Sequence, residues 1–372
     1  MPPITLHWFL PTGGDSRELM PTGEHAHRRQ PDHDYLAQVA RAAERLGFAG
    51  VLTPTGTMCE DAWLTTASLL TETDTLRFLV AFRPGLLSPT LAAQMASTYQ
   101  RISGGRLLLN VVTGADTSEL GRFGDWLDHD ERYERTAEFL TVLRGAWSGE
   151  PFDFDGRYYT VRGATTRAVP DPVPSVYFGG ASAAAEAVAA RHVDVYLTWG
   201  EPPAMVAEHL ERVRGLAAAE GRSVRFGIRF HVIARDRSAD AWAEAERLLA
   251  GLDPDAVAAA QADFAVTQSV GQRRMASLHG GRTDQLEVYP NVWAGVGLVR
   301  GGAGTALVGS HTEVADRIEE YHQLGFDEFI LSGYPHLEEA YQFGEGVIPE
   351  LRRRGLVGPD HHPTPPAYAS FR

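Results

Sequence analysis

Short apolar runs alternate with longer amphipathic segments along almost the whole chain, which is the pattern of repeated strand–helix units. Runs that are apolar on both faces predict buried strands, because parallel strands covered by helices need no polar face. The predicted strands are 4–10, 50–53, 76–82, 106–112, 175–179, 193–198, 225–234 and 329–332. Helices are predicted by an apolar stripe of 3.6-residue period, or by capping residues and proline at the start. They span 34–46, 61–70, a segment that opens at Ser88, 130–147, 182–190, 203–219 and 313–324.

Eight such units predict one α/β domain, a (β/α)₈ TIM barrel with insertions that takes in residues 1–372. The longest insertion, 240–310, lies between strands seven and eight and includes a predicted helix at 253–264. A connection of that length usually carries function, and we expect it to be mobile. A small hairpin insertion with an Asp-Gly turn is predicted at 152–161. The proline-rich tail, 356–372, is expected to be loose or to lie on a neighbouring subunit.

The strand 225–234 carries polar residues where a buried strand should be apolar. Arg225, Gly227, Arg229 and His231 share one side of the strand, and apolar residues occupy the other. Charges that point into a fold from mid-strand must be paired. One interpretation is an exposed polar face with ordinary salt bridges. The other is that Arg229 and His231 line a ligand cavity and hold an anion.

The charge and cysteine content narrow the class of protein. A formal net charge of −14 argues against nucleic acid and against anionic membrane surfaces as partners. An anionic small ligand would therefore need a local cluster of arginines. No apolar run is long enough to span a membrane and the N-terminus lacks a signal-peptide pattern, so we expect a cytoplasmic protein. Cys59 is the sole cysteine, which excludes an internal disulfide and fits a reducing compartment.

Candidate functional residues follow the predicted strands, because the active site of such barrels lies at the C-terminal ends of the strands. These candidates are Thr55, Cys59, Arg83, Asn110, Thr113, Ser182, Trp199, His231 and Tyr334. Taken singly, Asn110 could cap backbone groups and Trp199 could belong to the core. Cys59 could be a small buried hydrophobe. Their convergence on one rim of the barrel is what favours a functional site.

A glycine turn between strand five and its helix is typical of an anion site. Gly180 allows the backbone to approach a ligand, and the N-terminus of the following helix favours a phosphate. Ser182 either adds a hydroxyl donor or serves only as the helix N-cap. Tyr133, on the preceding helix, is a second candidate for contact with a phosphate.

Two further patterns, a glycine-rich segment and a group of histidines, bear on ligand binding. Residues 295–301 are glycine-rich but lack the dinucleotide fingerprint, since Arg300 stands at the third glycine position. Arg300 and the glycines after it predict either a mobile loop that carries one cation or a flexible connector. His25, His27 and His33 lie close in sequence without any metal-binding spacing, so no metal site is predicted.

Several spaced blocks together resemble a known family. The blocks are 54–63 (PTGTMCEDAW), 197–203 (LTWGEPP), 227–233 (GIRFHVI), 299–305 (VRGGAGT) and 331–339 (LSGYPHLEE). They are similar to those of the alkanesulfonate monooxygenases that depend on reduced flavin, within the bacterial luciferase-like superfamily. The similarity runs over nearly the whole chain. It implies a two-component system, in which a separate NAD(P)H-dependent FMN reductase supplies FMNH₂ and the barrel uses O₂ to convert an alkanesulfonate to aldehyde and sulfite.

The resemblance also assigns roles to individual residues. The positions that it links to catalysis are Cys59, Arg229, His231, Arg300 and Tyr334. The positions for the substrate are Trp199, Arg229 and Arg300, those for the flavin ring are Asn110 and Thr113, and those for the flavin phosphate are Tyr133, Gly180 and Ser182. Arginine suits this chemistry, because its forked donors match the oxygens of phosphate and sulfonate. A homo-oligomer, a dimer or a tetramer, is expected.

The chain departs from the family pattern in three places. Gly13 stands where the family commonly has histidine after Leu-Pro-Thr, the segment 23–30 is longer, and the tail is shorter. These departures bear on the substrate more than on the reaction. Two alternatives therefore stay open: a related luciferase-like flavin or deazaflavin enzyme that oxidises another substrate, such as an alkane or a chelator, and a non-catalytic flavin-binding protein.

Overall fold

The computed structural model describes residues 2–20, 28–114 and 116–358. Among them, eight parallel strands close a barrel in which each strand pairs with the next and the eighth pairs with the first. These strands are β1 (Thr5–Phe9), β2 (Gly50–Thr53), β3 (Arg77–Phe82), β4 (Leu107–Val111), β5 (Val176–Gly179), β6 (Val195–Trp199), β7 (Arg225–Arg235) and β8 (Glu328–Ser332). The predicted (β/α)₈ barrel is confirmed, strand by strand.

Helices surround the barrel and fill its connections. They are α1 (His33–Leu46), α2 (Ala62–Ser68), α3 (Pro89–Ser103), α4 (Thr117–Arg122), α5 (His129–Ala146), α6 (Ala183–His192), α7 (Pro203–Ala219), α8 (Ser238–Ala250), α9 (Pro254–Ala265), α10 (Val270–His279), α11 (His311–Leu324), α12 (His336–Gln342) and α13 (Ile348–Arg353). Capping residues set many of the starts. Asp128 with Glu131, and Ser310 with Glu313, form capping boxes at α5 and α11.

The core has two shells, which explains why the strands are apolar on both faces. Side chains that point outward from the barrel, such as Trp8, Phe230 and Phe329, pack under the helices. Side chains that point inward, such as Leu79 and Ile330, fill the barrel interior. A parallel strand covered on both faces therefore carries no polar alternation.

A buried carboxylate, Glu328, lies at the N-terminal end of the barrel strands, opposite the rim where the active site is expected. Glu328 Oε2 accepts hydrogen bonds from the Tyr177 hydroxyl, at 2.6 Å, and from His7 Nε2, at 3.0 Å. Its other oxygen pairs with Arg225. Burial by itself would raise the pKa of the Glu328 carboxyl, but His7, Tyr177 and Arg225 together hold it below its ordinary value. The carboxylate therefore stays charged inside the fold.

The connection between β7 and β8 is built from packed elements. Helices α8, α9 and α10 are followed by the antiparallel strands Glu287–Tyr289 and Val292–Trp293, and then by the strand Ala306–Ser310. The last of these pairs in parallel with the upper half of β7, from His231 onward. The helix expected at 253–264 corresponds to α9, whereas α8, α10 and the three strands were not predicted. The mobility expected for the insertion stays a prediction.

Shorter segments complete the described chain. The hairpin expected at 152–161 is present as Phe152–Asp155 and Thr160–Ala164. At the other end, Leu356 and Val357 pack against the core, so the predicted loose tail concerns 359–372, which lies outside the described residues together with most of the long 23–30 segment. Within the described ranges, no helix has both the length and the apolar character needed to cross a membrane.

The buried carboxylate at the N-terminal end of the strands makes a testable contribution to stability. Glu328→Ala should lower the free energy of unfolding by about 3–5 kcal/mol, because it leaves His7, Tyr177 and Arg225 without their common acceptor. The difference from wild type should shrink as the pH falls through the depressed pKa of Glu328, since protonation removes the same charge. Urea unfolding at neutral and acid pH measures both effects. Glu134→Ala, which breaks an exposed pair with Arg157, is the control; an equal loss in the two variants would contradict the role of the buried cluster.

Candidate active site

A cavity of about 620 Å³ opens at the C-terminal end of the barrel. Its walls come from β1 and the loop after it, the loop after β2, the upper part of β7, the insertion and the loop after β8. The five residues predicted as catalytic, Cys59, Arg229, His231, Arg300 and Tyr334, all line it. The structure therefore brings together residues from β7 and from three different connections at the rim where such barrels hold their active sites.

Arg229 carries an uncompensated positive charge in this cavity. Its guanidinium lies over the ring of Phe9, 4.4 Å from the ring centroid. Its Nε is buried without a hydrogen-bond partner, and no carboxylate of the described residues pairs with it. Burial, with a contribution from nearby Arg300, lowers the pKa of Arg229 to about 10, so the side chain remains charged at neutral pH. A cation held in this way is available to an anionic ligand.

His231 is held by hydrogen bonds on both ring nitrogens. Nε2 lies 3.0 Å from the carbonyl oxygen of Ala303, and Nδ1 lies 2.9 Å from the hydroxyl of Ser332. Because a carbonyl can only accept, Nε2 donates and Nδ1 of the neutral ring accepts. Burial and the charge of Arg229 hold the pKa of His231 well below its ordinary value. The ring is therefore neutral at neutral pH, and its predicted catalytic role stays a prediction.

Tyr334 and Arg300 form one wall of the cavity. The buried ring of Tyr334 stacks on His231, with 5.3 Å between the ring centroids, and the Arg300 guanidinium lies 5.2 Å from the Tyr334 centroid. Arg300 itself is exposed, whereas Ala303 is buried and the amide of Gly302 donates to Gln272 at 2.8 Å. The exposed part of this loop is therefore short, Arg300 and Gly301, and the Arg300 amide itself donates to the Val296 carbonyl oxygen at 3.1 Å.

Cys59 and Gly13 shape the wall opposite β7. Burial raises the pKa of the Cys59 thiol, so Cys59 is a neutral thiol rather than a thiolate nucleophile at neutral pH. A Cβ atom on Gly13 would lie 3.0 Å from the carbonyl oxygen of Met58 and 3.7 Å from the Cys59 sulfur. Glycine at position 13 thus lets the Met58 backbone approach closely, and a larger side chain there would have to displace it.

Residues predicted to contact the flavin ring lie at the end of β4. Asn110 is the last but one residue of that strand, and its strand position pairs with Tyr177 of β5. Thr113 follows β4, and its hydroxyl is buried with no hydrogen-bond partner among the described residues. An unsatisfied buried hydroxyl indicates a polar group that is to be met by a ligand or water.

The residues predicted for the flavin phosphate come together at the start of α6. A Cβ on Gly180 would lie 3.1 Å from the Tyr133 hydroxyl and 2.6 Å from the Cβ of Ala185, so only glycine lets the chain pack this closely against them. Ser182 is the N-cap of α6 and accepts from the Ala185 amide. Burial raises the pKa of Tyr133, and a hydrogen bond with Ser182 opposes that rise. We call this group of three residues the phosphate cradle. The amides of the first turn of α6 add donors to it.

Trp199 lies beside the cavity rather than in its wall. It ends β6, and its register partner on β7 is Arg229. On its other side the ring is close to α10, where a Cβ on Gly271 would approach it to 3.0 Å. Trp199 is therefore a direct neighbour of Arg229, and its predicted contact with substrate stays a prediction.

Sequence reasoning missed three residues that line the cavity: Phe9, Asp15 and His336. His336 stands inside the block 331–339, so a closer look at every side chain of that block could have found it. Asp15 had no local signal, because its partner His336 is 321 positions away. Among the described residues, no group of three or more His, Cys, Asp or Glu side chains could hold a metal ion.

A closed parallel barrel with a polar cavity at its strand ends defines the class of (β/α)₈ enzymes. The model of the family described as luciferase-like monooxygenase matches residues 4–328. The chain belongs to this family, as its sequence blocks led us to expect.

Solved structures share the fold over almost the entire chain. The EDTA monooxygenase EmoA from Chelativorans sp. BNC1 has a TM-score of 0.78 at 21% identity, covering 96% of this chain and 95% of that chain. The long-chain alkane monooxygenase LadA has a TM-score of 0.76 at 21% identity, covering 97% and 94%. Riboflavin lyase RcaE, solved with modified FMN and riboflavin, has a TM-score of 0.77 at 20% identity, covering 96% and 93%. At these identities the likeness concerns the fold, and the alkanesulfonate specificity expected from the sequence becomes a proposal.

The phosphate cradle can be tested by adding one carbon. Gly180→Ala should weaken binding of reduced FMN by about tenfold or more, because the new Cβ crowds the Tyr133 hydroxyl and the first turn of α6. Reduced riboflavin, which has no phosphate, should bind to the wild type more weakly than reduced FMN does. The substitution should reduce its affinity by a smaller factor than it reduces the affinity for FMN. Anaerobic fluorescence titration measures both ligands. Gly215→Ala, on α7 with open space around it, is the matched control; equal losses for the two flavins would rule out a phosphate site here.

Proposed function

We propose that this protein is a two-component, FMNH₂-dependent alkanesulfonate monooxygenase that uses O₂ to convert alkanesulfonates to aldehyde and sulfite. It would work in the cytoplasm, as a dimer or tetramer, with an NAD(P)H-dependent FMN reductase as its partner. Membership of the luciferase-like monooxygenase family supports the reaction class. The substrate class rests on the chemistry of the cavity.

The observation that carries the proposal is the unpaired guanidinium of Arg229. It is charged, it faces the cavity, and no described carboxylate neutralises it. A sulfonate offers three oxygens with one negative charge, which the forked donors of arginine match. Arg300 at the cavity mouth adds a second cation that a bound anion would attract.

The cofactor would occupy the strand ends next to this cavity. Reduced FMN supplies the electrons that activate O₂ for oxidation of the substrate carbon. In our proposal the phosphate cradle of Tyr133, Gly180 and Ser182 holds the phosphate, and Asn110 and Thr113 contact the ring. Thr113 has an unsatisfied hydroxyl, and Gly180 lets the backbone lie against Tyr133 and the first turn of α6, which fit such a ligand. Arg300 and Tyr334 would shield the reacting carbon from water.

A second candidate is a related monooxygenase with a larger polyanionic substrate. Gly13 favours it, because the cavity wall carries no side chain at the position where the family commonly has histidine. EmoA, whose name gives EDTA as its substrate, has the same fold. Both candidates require oxygen consumption that depends on substrate and reduced flavin, which a non-catalytic flavin-binding protein would not show.

The substrate class and the role of Arg229 can be tested together. With a generic flavin reductase, the wild type should release sulfite from members of an alkanesulfonate series and should not oxidise EDTA. Arg229→Ala should lower kcat/KM by about 10²-fold or more, the size expected for loss of a charge-stabilising donor. Arg229→Lys should recover only part of it, since lysine lacks the fork.

Arg237→Ala is the matched control, because Arg237 is exposed and pairs only with Asp240 among the described residues. It should leave sulfite release unchanged. Full activity in Arg229→Lys would contradict bidentate binding, and oxidation of EDTA without sulfite release from any sulfonate would favour the second candidate.

The loop at Arg300 should close over the bound ligands. Trypsin should cut after Arg300 quickly in the free protein, more slowly with anaerobic reduced FMN, and most slowly when a sulfonate is also present, because an anion draws the loop inward. Mass spectrometry of timed digests measures the rates. Cleavage after Arg237 should not change among the three states. Identical rates after Arg300 in all three would rule out a closing loop.

A further inference from the structure

His336 and Asp15 form an acid–base pair at the edge of the cavity. Asp15 Oδ1 lies 2.8 Å from His336 Nδ1, and Asp15 Oδ2 accepts from the backbone amide of His336, also at 2.8 Å. Two contacts from one carboxylate fix both the position and the tautomer of the imidazole. Nδ1 carries a proton that it donates to Asp15, and Nε2 of the neutral ring has a free lone pair.

Other groups hold Asp15 in place. The Tyr35 hydroxyl donates to Oδ2, and the amide of Ser16 donates to Oδ1 at 2.8 Å. Burial by itself would raise the pKa of the Asp15 carboxyl, but His336 and Tyr35 outweigh it and keep that pKa below its ordinary value. Asp15 is therefore a carboxylate at neutral pH and can stabilise a positive charge that forms on His336.

His336 Nε2 is accessible from the cavity. The residue lines the cavity wall, and this nitrogen has no hydrogen-bond partner among the described residues and is not fully buried. His231 differs in this respect, since both of its ring nitrogens are occupied by Ala303 and Ser332. Of the two histidines in the cavity wall, His336 is the one whose basic nitrogen is open to a ligand.

His336 and Arg229 lie close enough to act on one small molecule. Both contact the ring of Phe9: the Arg229 guanidinium is 4.4 Å from its centroid, and the His336 ring is 5.5 Å from it, centroid to centroid. Both residues also line the same cavity, so we expect a ligand whose anionic group lies on Arg229 to extend into the space that His336 borders.

We propose that His336 is the proton acceptor of this cavity and that Asp15 is its positioning residue. The inference rests on the proposed function and names the step: breakdown of the α-hydroxysulfonate formed when the carbon next to sulfur has been hydroxylated. Nε2 takes the hydroxyl proton, the O–H electron pair becomes the C=O bond, and the C–S bond breaks with its electron pair going to sulfite. No electrons enter or leave, and the imidazolium returns its proton to solvent.

This step can be assayed without flavin or oxygen, because α-hydroxysulfonates are the bisulfite adducts of aldehydes. The wild type should accelerate sulfite release from the bisulfite adduct of an aldehyde. The released sulfite is measured with an aromatic disulfide, which sulfite cleaves to a coloured thiolate. His336→Gln should lower this rate by about 10²-fold or more, the usual contribution of a positioned base. KM for the adduct should change little, since the anion is held by Arg229.

Asp15→Asn tests the positioning role through the pH profile. The wild-type rate should rise with pH, and this ascending limb should be absent in His336→Gln, which has no imidazole. In Asp15→Asn the limb should persist at a lower pH with a reduced maximum, because the imidazolium has lost its carboxylate. A purely structural role would lower the rate at all pH values without moving the limb.

Titratable groups on the elements packed against His336 contribute to the same pH profile of the rate. They are Asp15 on the loop after β1, Tyr35 on α1, His231 on β7 and Tyr334 before α12. His231→Gln provides the discriminating comparison, because it removes the other cavity imidazole and should keep the ascending limb. His311→Gln, half-buried beside Asp236 and outside the cavity wall, is the matched His–Asp control and should keep both rate and limb.

The outcomes separate this inference from the proposed function. Sulfite from sulfonates with FMNH₂, without accelerated breakdown of the adducts, would overturn the role of His336 and leave the function standing. Breakdown of adducts that depends on His336, without oxidation of any sulfonate, would support the acid–base pair and contradict the function. Unchanged adduct breakdown in His336→Gln would also overturn the proposal, provided that circular dichroism shows the variant to be folded. If His336→Gln fails to fold, an ascending limb at the wild-type pH in Asp15→Asn would overturn it instead.

Discussion

The site depends on one long strand that pairs both within the barrel and with the insertion. The lower half of β7 pairs with β6 and closes the barrel, and its upper half pairs with the strand Ala306–Ser310 of the insertion. His231 stands where the two pairings meet, and its ring joins Ser332 of β8 to Ala303 of the insertion. Because parallel strands end together at one rim, this arrangement places the Arg300 loop over the cavity instead of beside the barrel.

A protein with a net charge of −14 keeps a cationic cavity because its nearby carboxylates are already engaged. Glu338 pairs with Arg29, Glu339 with Arg235 and Glu119 with Arg83. Asp15, which does line the cavity, is turned toward His336 and Tyr35. None of these described carboxylates neutralises Arg229 or Arg300, so the local charge at the cavity is opposite in sign to that of the whole chain.

Local sequence was sufficient to predict the barrel and the inward-facing side chain of Arg229, since apolar runs and strand alternation are properties of neighbouring residues. It was insufficient wherever partners are far apart. The predicted eighth strand, 329–332, leaves out Glu328, whose burial depends in part on His7, 321 positions away. The three strands of the insertion are short, and Ala306–Ser310 becomes a strand only by pairing with β7. Asp15 was missed for the same reason, whereas His336 stands inside the block 331–339.

The phosphate cradle and the cavity stand on different strands. Tyr133, Gly180 and Ser182 belong to the connections around β5, whereas Gly13, Cys59, Arg229 and Tyr334 belong to those of β1, β2, β7 and β8. Side chains in one group can therefore be exchanged without repacking the other. In such an arrangement, the residues proposed to hold the flavin and those proposed to contact the substrate can change independently. A substitution at a single position such as Gly13 can then alter substrate specificity without loss of the reaction.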